Sequence, residues 1–397
     1  MKIVWLKPGR DKPVTRFHPW IFSGSVREVK GEPVPGDVVE VRAHDDRWLA
    51  RGAFSPASQI RVRIWTWDRD EGVDSGFIRR RVRSAISARA DMEADAETDS
   101  YREVYAESDG LPGLIVDRYG PFRAVQFHSA GVEAWRETIL DALIEVQDCQ
   151  GVVERSEADA REREGLEPRV GVARGNLPDS PIEIRENGLW FAVDLIGGQK
   201  TGFYLDQREN RHLVQQTEDL GRVLDCFCYT GGFSLAAMRG GAGSILGIDS
   251  SAPALSLAGE NLTRNGWAPS AAEFRQADVF NELRHLVREG GEFDTVILDP
   301  PMFAGTPSQK HRAARGYKDI NMLAAQLLAP GGRLFTFSCS GGVTPELFQK
   351  IVAGAAADAG VGLLVTEWRG QPADHPVALN FPEGRYLKGL VCRRFEL

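Results

Sequence analysis

Long apolar runs are missing from this chain. No stretch approaches the roughly 20 apolar residues of a membrane-spanning helix, so no membrane partner is expected. The opening MKIVWLKP has neither the apolar core nor the small-residue cleavage site of a secretory leader, so none is expected. Cysteine is scarce: five in 397 residues, at 149, 226, 228, 339 and 392. An odd count without a repeating spacing gives no disulfide framework, and no second Cys/His pair stands near Cys226 and Cys228 to hold zinc. No metal is expected, and a reducing cytoplasm is the simplest setting. Internal repeats and low-complexity tracts are absent too.

The length calls for two or three domains. Net charge is −8, which taken alone argues against a nucleic-acid partner. The charge is uneven, however. Residues 1–70 carry 13 Lys and Arg against 9 Asp and Glu, a balance of +4 that leaves −12 for the rest. The same segment holds Trp5, Trp20, Trp48, Trp65 and Trp67. A basic, aromatic-rich module is compatible with RNA binding. On composition alone, a small β-domain with tryptophan in its core is the slightly favoured reading.

Short alternating runs such as 37–42 and 59–65, separated by Gly, Pro and Asp, predict a small β-barrel or sandwich at the N-terminus. A helix is expected from about 75 to 94. Strands at 101–107, 114–117 and 123–128, a helix at 132–146, and strands at 151–155 and 181–194 follow in an α+β order. The charged run 157–167 reads as a solvated loop or helix face. From residue 221 the rhythm becomes strict β-α alternation. Strands are expected at 222–227, 244–249, 273–278, 293–299 and 333–338, with helices starting near Gly232, Ala252, Asn281, Lys310 and Thr344. A final strand pair at 362–369 and 385–395 completes a doubly wound α/β sheet with an antiparallel edge.

The first of those strands runs into DCFCYTGGF, residues 225–233. Gly231 and Gly232 fall at a strand-to-helix turn, where a ligand approaches backbone closely. A dinucleotide site would want G-x-G-x-x-G there, so that a helix N-terminus holds pyrophosphate. This loop instead carries Asp225, which repels phosphate and pairs with an ammonium. S-adenosylmethionine has an amino-acid ammonium and no phosphate. Asp249 closes the second strand, suited to ribose hydroxyls, and Asp278 the third, placed for an adenine amino group. Asp299-Pro300-Pro301 closes the fourth. Two prolines stiffen the loop, and the Asp299 side chain with the Pro300 carbonyl can accept from the amino edge of a flat base. Cys339 closes the fifth. A thiolate there can add to carbon 6 of cytosine and make carbon 5 nucleophilic enough to take a methyl group. On position alone, Cys339 is equally well a small buried residue.

Together these motifs resemble the bacterial large-subunit rRNA (cytosine-5) methyltransferases that carry an N-terminal PUA domain. The resemblance covers nearly the whole chain. Its marks are RFHPWIFSG at 16–24, GGQKTGFYLDQR at 197–208, the 225–233 loop, Asp299-Pro-Pro, RGYKDIN at 315–321, SCS at 338–340, DHP at 374–376 and FPEGRYLKG at 381–389. It implies a PUA domain over 1–73, a central α+β domain over 74–190 and a Rossmann-like methyltransferase domain over 191–397. It implies S-adenosylmethionine as donor, 23S ribosomal RNA as partner, and Cys339 with Asp299 as catalytic residues. Cofactor contacts are expected at Thr201, Phe203, Asp206, Arg208, Asp225, Phe227, Tyr229, Thr230, Gly231, Asp249, Ser250, Asp278, Asp299 and Pro300. RNA contacts are expected at Pro301, Lys310, Arg312, Arg315 and Lys318. A homodimer is left open. Met302 stands where the family often has Lys, and Glu157 where it often has Asp. No second cysteine occupies the fourth-strand loop, so the group that releases the product is unassigned. Methylation of a ring or exocyclic nitrogen, with no thiol needed, is the alternative chemistry. A noncatalytic RNA-binding factor is the alternative class.

Overall fold

The computed structural model describes residues 2–146, 148–177, 181–303 and 310–396, without the side chains of residues 159, 160 and 310. These form two compact units. The first comprises Met1–Glu186, Val193–Leu205 and Ala373–Gly384, the second Asn187–Ala192, Asp206–Pro372 and Arg385–Leu397.

The first unit holds two sheets. Alternating sequences make its strands: in Val38–Arg42 the residues Val39 and Val41 point inward and their neighbours outward. Six strands pair in the order Trp20–Phe22, Ile60–Thr66, Trp48–Phe54, Val38–Arg42, Ile3–Leu6, Val26–Lys30. Five more pair in the order Arg169–Gly175, Gly151–Ser156, Phe122–Phe127, Leu114–Tyr119, Ser100–Tyr105. The core does not break at residue 73. Ala53 and Trp65 of the first sheet share one apolar cluster with Phe77, Ile78 and Val82 of the helix Ser75–Ser87 and with Val104 and Val125 of the second sheet.

Three expectations shift here. The helix expected over 75–94 is two, Ser75–Ser87 and Ala90–Glu93. Between them the buried Arg89 guanidinium donates to the Ala85 carbonyl and grips Asp109 at 2.7 and 2.9 Å. The helix expected over 132–146 is likewise split, into Ala130–Ala134 and Arg136–Ile144. The strand Arg169–Gly175 was not anticipated. It is a sheet edge with Val170 and Val172 more than half exposed, so burial leaves no alternation to read.

The second unit is numbered separately. Its strands are β1 (Arg222–Cys226), β2 (Ser244–Asp249), β3 (Ala272–Gln276), β4 (Phe293–Leu298), β5 (Leu328–Ser338), β6 (Gly362–Arg369) and β7 (Lys388–Phe395). Its helices are α1 (Arg208–Gln216), α2 (Gly232–Arg239), α3 (Ala252–Arg264), α4 (Val279–Arg288), α5 (Lys310–Leu327) and α6 (Pro345–Asp358). The sheet order is β3-β2-β1-β4-β5-β7-β6. The first five run parallel and β7 runs antiparallel to both its neighbours. This is the expected doubly wound α/β sheet with its antiparallel addition. Four consecutive residues of β4, Thr295 to Leu298, are buried, because helices cover both faces. Strand order reverses between β1 and β4, and the C-terminal ends there outline the ligand crevice of such sheets. Boundaries moved modestly. β3 stops at Gln276, α4 begins at Val279, β5 begins at Leu328, and β7 begins at Lys388.

Candidate active site

The loop after β1 is held in a strained shape. Phe227, Tyr229 and Gly231 all have positive φ, at 63°, 48° and 82°. Only Gly231 takes such an angle without steric cost. A methyl group added there would sit 3.1 Å from Ala258 Cβ and Leu235 Cδ1. The tight turn starts α2 directly beneath the loop. Asp225 is completely buried. Its Oδ2 accepts from the Ser234 hydroxyl of α2 at 2.6 Å, while Oδ1 has no partner. Burial, seconded by the Asp249 charge, pushes this carboxyl up to about 7. An acid held this way has one oxygen left over and gains most from a cation. Asp249 is committed differently. It accepts from the backbone N–H of Tyr229 at 3.0 Å and of Ser251 at 2.9 Å, tying the β2 end to the glycine loop.

Asp299 follows β4 and is tethered through α1. Gln207 donates through its side-chain amide to Asp299 Oδ1 at 2.7 Å, and Asn210 donates to Gln207 Oε1 at 2.5 Å. Arg369 donates to Asn210 Oδ1 at 3.1 Å. Burial first, and then the neighbouring Asp206 charge, pushes Asp299 up to about 7. Asp206 itself accepts from the Tyr386 hydroxyl at 2.6 Å. β4 and β5 are parallel neighbours, so the residues after them emerge side by side. Cys339 Sγ reaches the Pro300 carbonyl at 3.9 Å, which joins the Asp299-Pro-Pro loop to the thiol. Tyr317 of α5 shares a 2.9 Å hydrogen bond with the Ser340 hydroxyl. Burial pushes its phenol up to about 12, so it stands beside the cysteine as a neutral group.

A model of the S-adenosylmethionine-dependent methyltransferases matches residues 173–377, and one of the PUA-like domains matches residues 4–67. The chain belongs to the S-adenosylmethionine-dependent methyltransferases. This methyltransferase is 50% identical over 390 residues to the ribosomal RNA large subunit methyltransferase I of Shewanella denitrificans, with 98% of each chain covered. Its counterpart of the same name in Aeromonas salmonicida is 49% identical, also over 98% of each chain. A Streptococcus mutans chain assigned as a SAM-dependent methyltransferase superposes with a TM-score of 0.85, covering 99% of this chain and 100% of that one. At 20% identity, that likeness bears on the fold alone.

The structure distributes the expected residues of the methyltransferase unevenly. Asp225, Tyr229, Thr230, Gly231 and Asp249 gather at the ends of β1 and β2. Thr230 is buried, with its hydroxyl unpartnered. Phe227 packs edge-on against Phe280 and Phe303. Ser250 is exposed, and its carbonyl accepts from Gln276. Asp278 does not end β3, as expected. It lies two residues beyond, exposed, and caps α4 by accepting from the Asn281 N–H at 2.9 Å. Thr201 and Phe203 belong to the first unit. There Thr201 donates to Asp117 at 2.6 Å and shares a bond with the Tyr119 hydroxyl, while Phe203 pairs its backbone with Tyr119. Arg208 is buried at the start of α1, beside Glu209. Pro301, Arg312 and Arg315 are exposed, and Lys318 pairs with Asp358 at 2.6 Å. The side chain of Lys310 lies outside the described ones.

Sequence reading missed Arg211. It sits over the start of α2, and its charge favours the ionised forms of both Asp225 and Asp299. Spacing from Asp206-Gln-Arg208 along a helix was the available signal. The tryptophan reading also resolves toward structure. Trp65 is core, and Trp5, Trp20 and Trp67 spend their indole N–H groups on Asp46, Glu107 and the Val14 carbonyl. Within residues 2–70, Phe17 and Phe22 are left in the open, 56% and 48% exposed.

Proposed function

We propose that this methyltransferase modifies large-subunit ribosomal RNA at carbon 5 of a cytosine, through a transient covalent bond to Cys339. The observation that carries the reading is the meeting of Cys339 with the Asp299-Pro-Pro loop at adjacent strand ends. The 49–50% identical relatives named ribosomal RNA large subunit methyltransferase I support the RNA class.

The residues at the β1 and β2 ends fit S-adenosylmethionine. The unpartnered Asp225 oxygen would take its ammonium, the Gly231 turn would admit it against bare backbone, and Asp249 would take the ribose. The cofactor supplies an electrophilic methyl group. The protein's work is on the base. Extruded from its stack, the cytosine would present its amino edge to Asp299 and the Pro300 carbonyl. The Cys339 thiolate adds to carbon 6, and the ring π electrons move to carbon 5, which forms the new bond to methyl. A base then takes the carbon-5 proton, the C–H electrons re-form the ring double bond, and the thiolate leaves. RNA outside the pocket would lie along a shallow groove of about 610 Å³ between α5 and α6, lined by His311, Arg315, Lys318 and Lys350.

Replacing Cys339 tests the chemistry. Cys339→Ala should bind S-adenosylmethionine with unchanged affinity by calorimetry and lose methyl transfer by on the order of 10³-fold or more. Mass spectrometry of the nucleosides should show 5-methylcytosine from the parent enzyme. Full turnover in the variant, or methyl on a nitrogen, would exclude the adduct.

A further inference from the structure

The FPEGRYLKG segment carries a lysine that the chemistry above leaves unused. Lys388 is 5% exposed. It opens β7 directly across from Ser338, the residue before Cys339 and the last of β5. Its ammonium donates to the Ser340 carbonyl at 2.6 Å. Among the described residues no carboxylate stands within ion-pair distance of it. A buried ammonium with one neutral partner is costly to maintain. Two charged groups reach it: Cys339, whose thiolate would favour the ammonium, and Arg385, which opposes it. From α5 the nearby ionisable group is the Tyr317 phenol, neutral in this setting.

We propose that Lys388 is the counter-cation of the Cys339 thiolate, a positioning residue that keeps the nucleophile charged and aimed at the base. This rests on Cys339 being the nucleophile. Burial lowers Lys388 to about 8, so near neutral pH it can both hold and exchange a proton. When the amine is neutral it takes the thiol proton directly. When it is already an ammonium, that proton goes to water. Either route ends in the same pair, S⁻ beside NH₃⁺. After methylation the departing thiolate meets the same cation, which favours its release.

The test reads the thiol without RNA or turnover. The full-length protein is treated with iodoacetamide across pH 5–10, and modification of the Cys339 peptide is followed by mass spectrometry. In the wild-type protein the midpoint should fall below the roughly 8.5 of an ordinary thiol. Lys388→Met should raise it, slowing alkylation at pH 7 by about tenfold or more, and Lys388→Arg should restore it. An unchanged midpoint in Lys388→Met that still binds S-adenosylmethionine overturns the pairing. A wild-type midpoint at or above that of an ordinary thiol overturns it without any variant. Full methyl transfer by Cys339→Ala would instead sink the covalent reading, so the two failures are distinguishable.

Discussion

Asp225 has one satisfied oxygen and one orphan, and its behaviour follows from that asymmetry. Asp225→Asn keeps the shape but turns the orphan acceptor into an amide. S-adenosylmethionine affinity by calorimetry should fall about 10- to 100-fold, the worth of a hydrogen bond to a charged group. The parent enzyme should bind more tightly as pH rises toward about 7 and then level off, because an ammonium needs the ionised carboxyl. The variant should show no such slope. Stability without cofactor runs the other way. The folded carboxyl holds its proton up to about 7 while the unfolded one loses it near 3.8, so stability falls as pH climbs through that window. Melting curves should therefore show Asp225→Asn gaining on the parent protein from pH 4 to 7. A constant gap would contradict the raised carboxyl.

The site depends on where elements stop. Gly231 ends a turn that Asp249 steadies through the Tyr229 N–H. Gly231→Ala would force a φ of 82° on a residue with a side chain and press its methyl on Ala258 and Leu235. Denaturant unfolding should register a loss of about 1–2 kcal/mol, with weakened cofactor binding alongside. A neutral outcome would mean that the loop has room to relax. The Gln207 and Asn210 pair works at the same scale: α1 hands a chain of amides to Asp299, and β6 closes it with Arg369. The outer links of this chain join residues 92 and 159 positions apart in sequence, and no local pattern announces them.

Over the whole molecule the charge is −8, yet the groove between α5 and α6 collects His311, Arg315, Lys318 and Lys350. Lys318 is partly neutralised by Asp358, so Arg315 and Lys350 should carry most of a phosphate interaction. Arg315→Gln with Lys350→Gln should weaken binding of a single-stranded RNA fragment. The slope of log affinity against log salt should shallow by about 1.4, two phosphates at about 0.7 each. An unchanged slope would remove the groove from the RNA path. Net charge was a poor guide here because a partner meets a local field, not the sum over the chain.

The β-α rhythm after residue 221 and the glycine-rich loop with its buried acid were legible from sequence, as were the proline-stiffened β4 end and the cysteine after β5. All are local, set by short continuous apolar runs, turn residues and strand ends. Tertiary structure alone decided the rest. It put Asp278 to work as a helix cap, and it placed Thr201 and Phe203 in the first unit with Asp117 and Tyr119. It merged the first sheet and the central helix into one core across residue 73. Above all, it fastened Lys388 to Ser338 and Ser340, the two neighbours of Cys339. Lys388 follows Cys339 by 49 positions, and only the antiparallel insertion of β7 beside β5 pairs it with Ser338 and hands its ammonium to the Ser340 carbonyl, on either side of the cysteine.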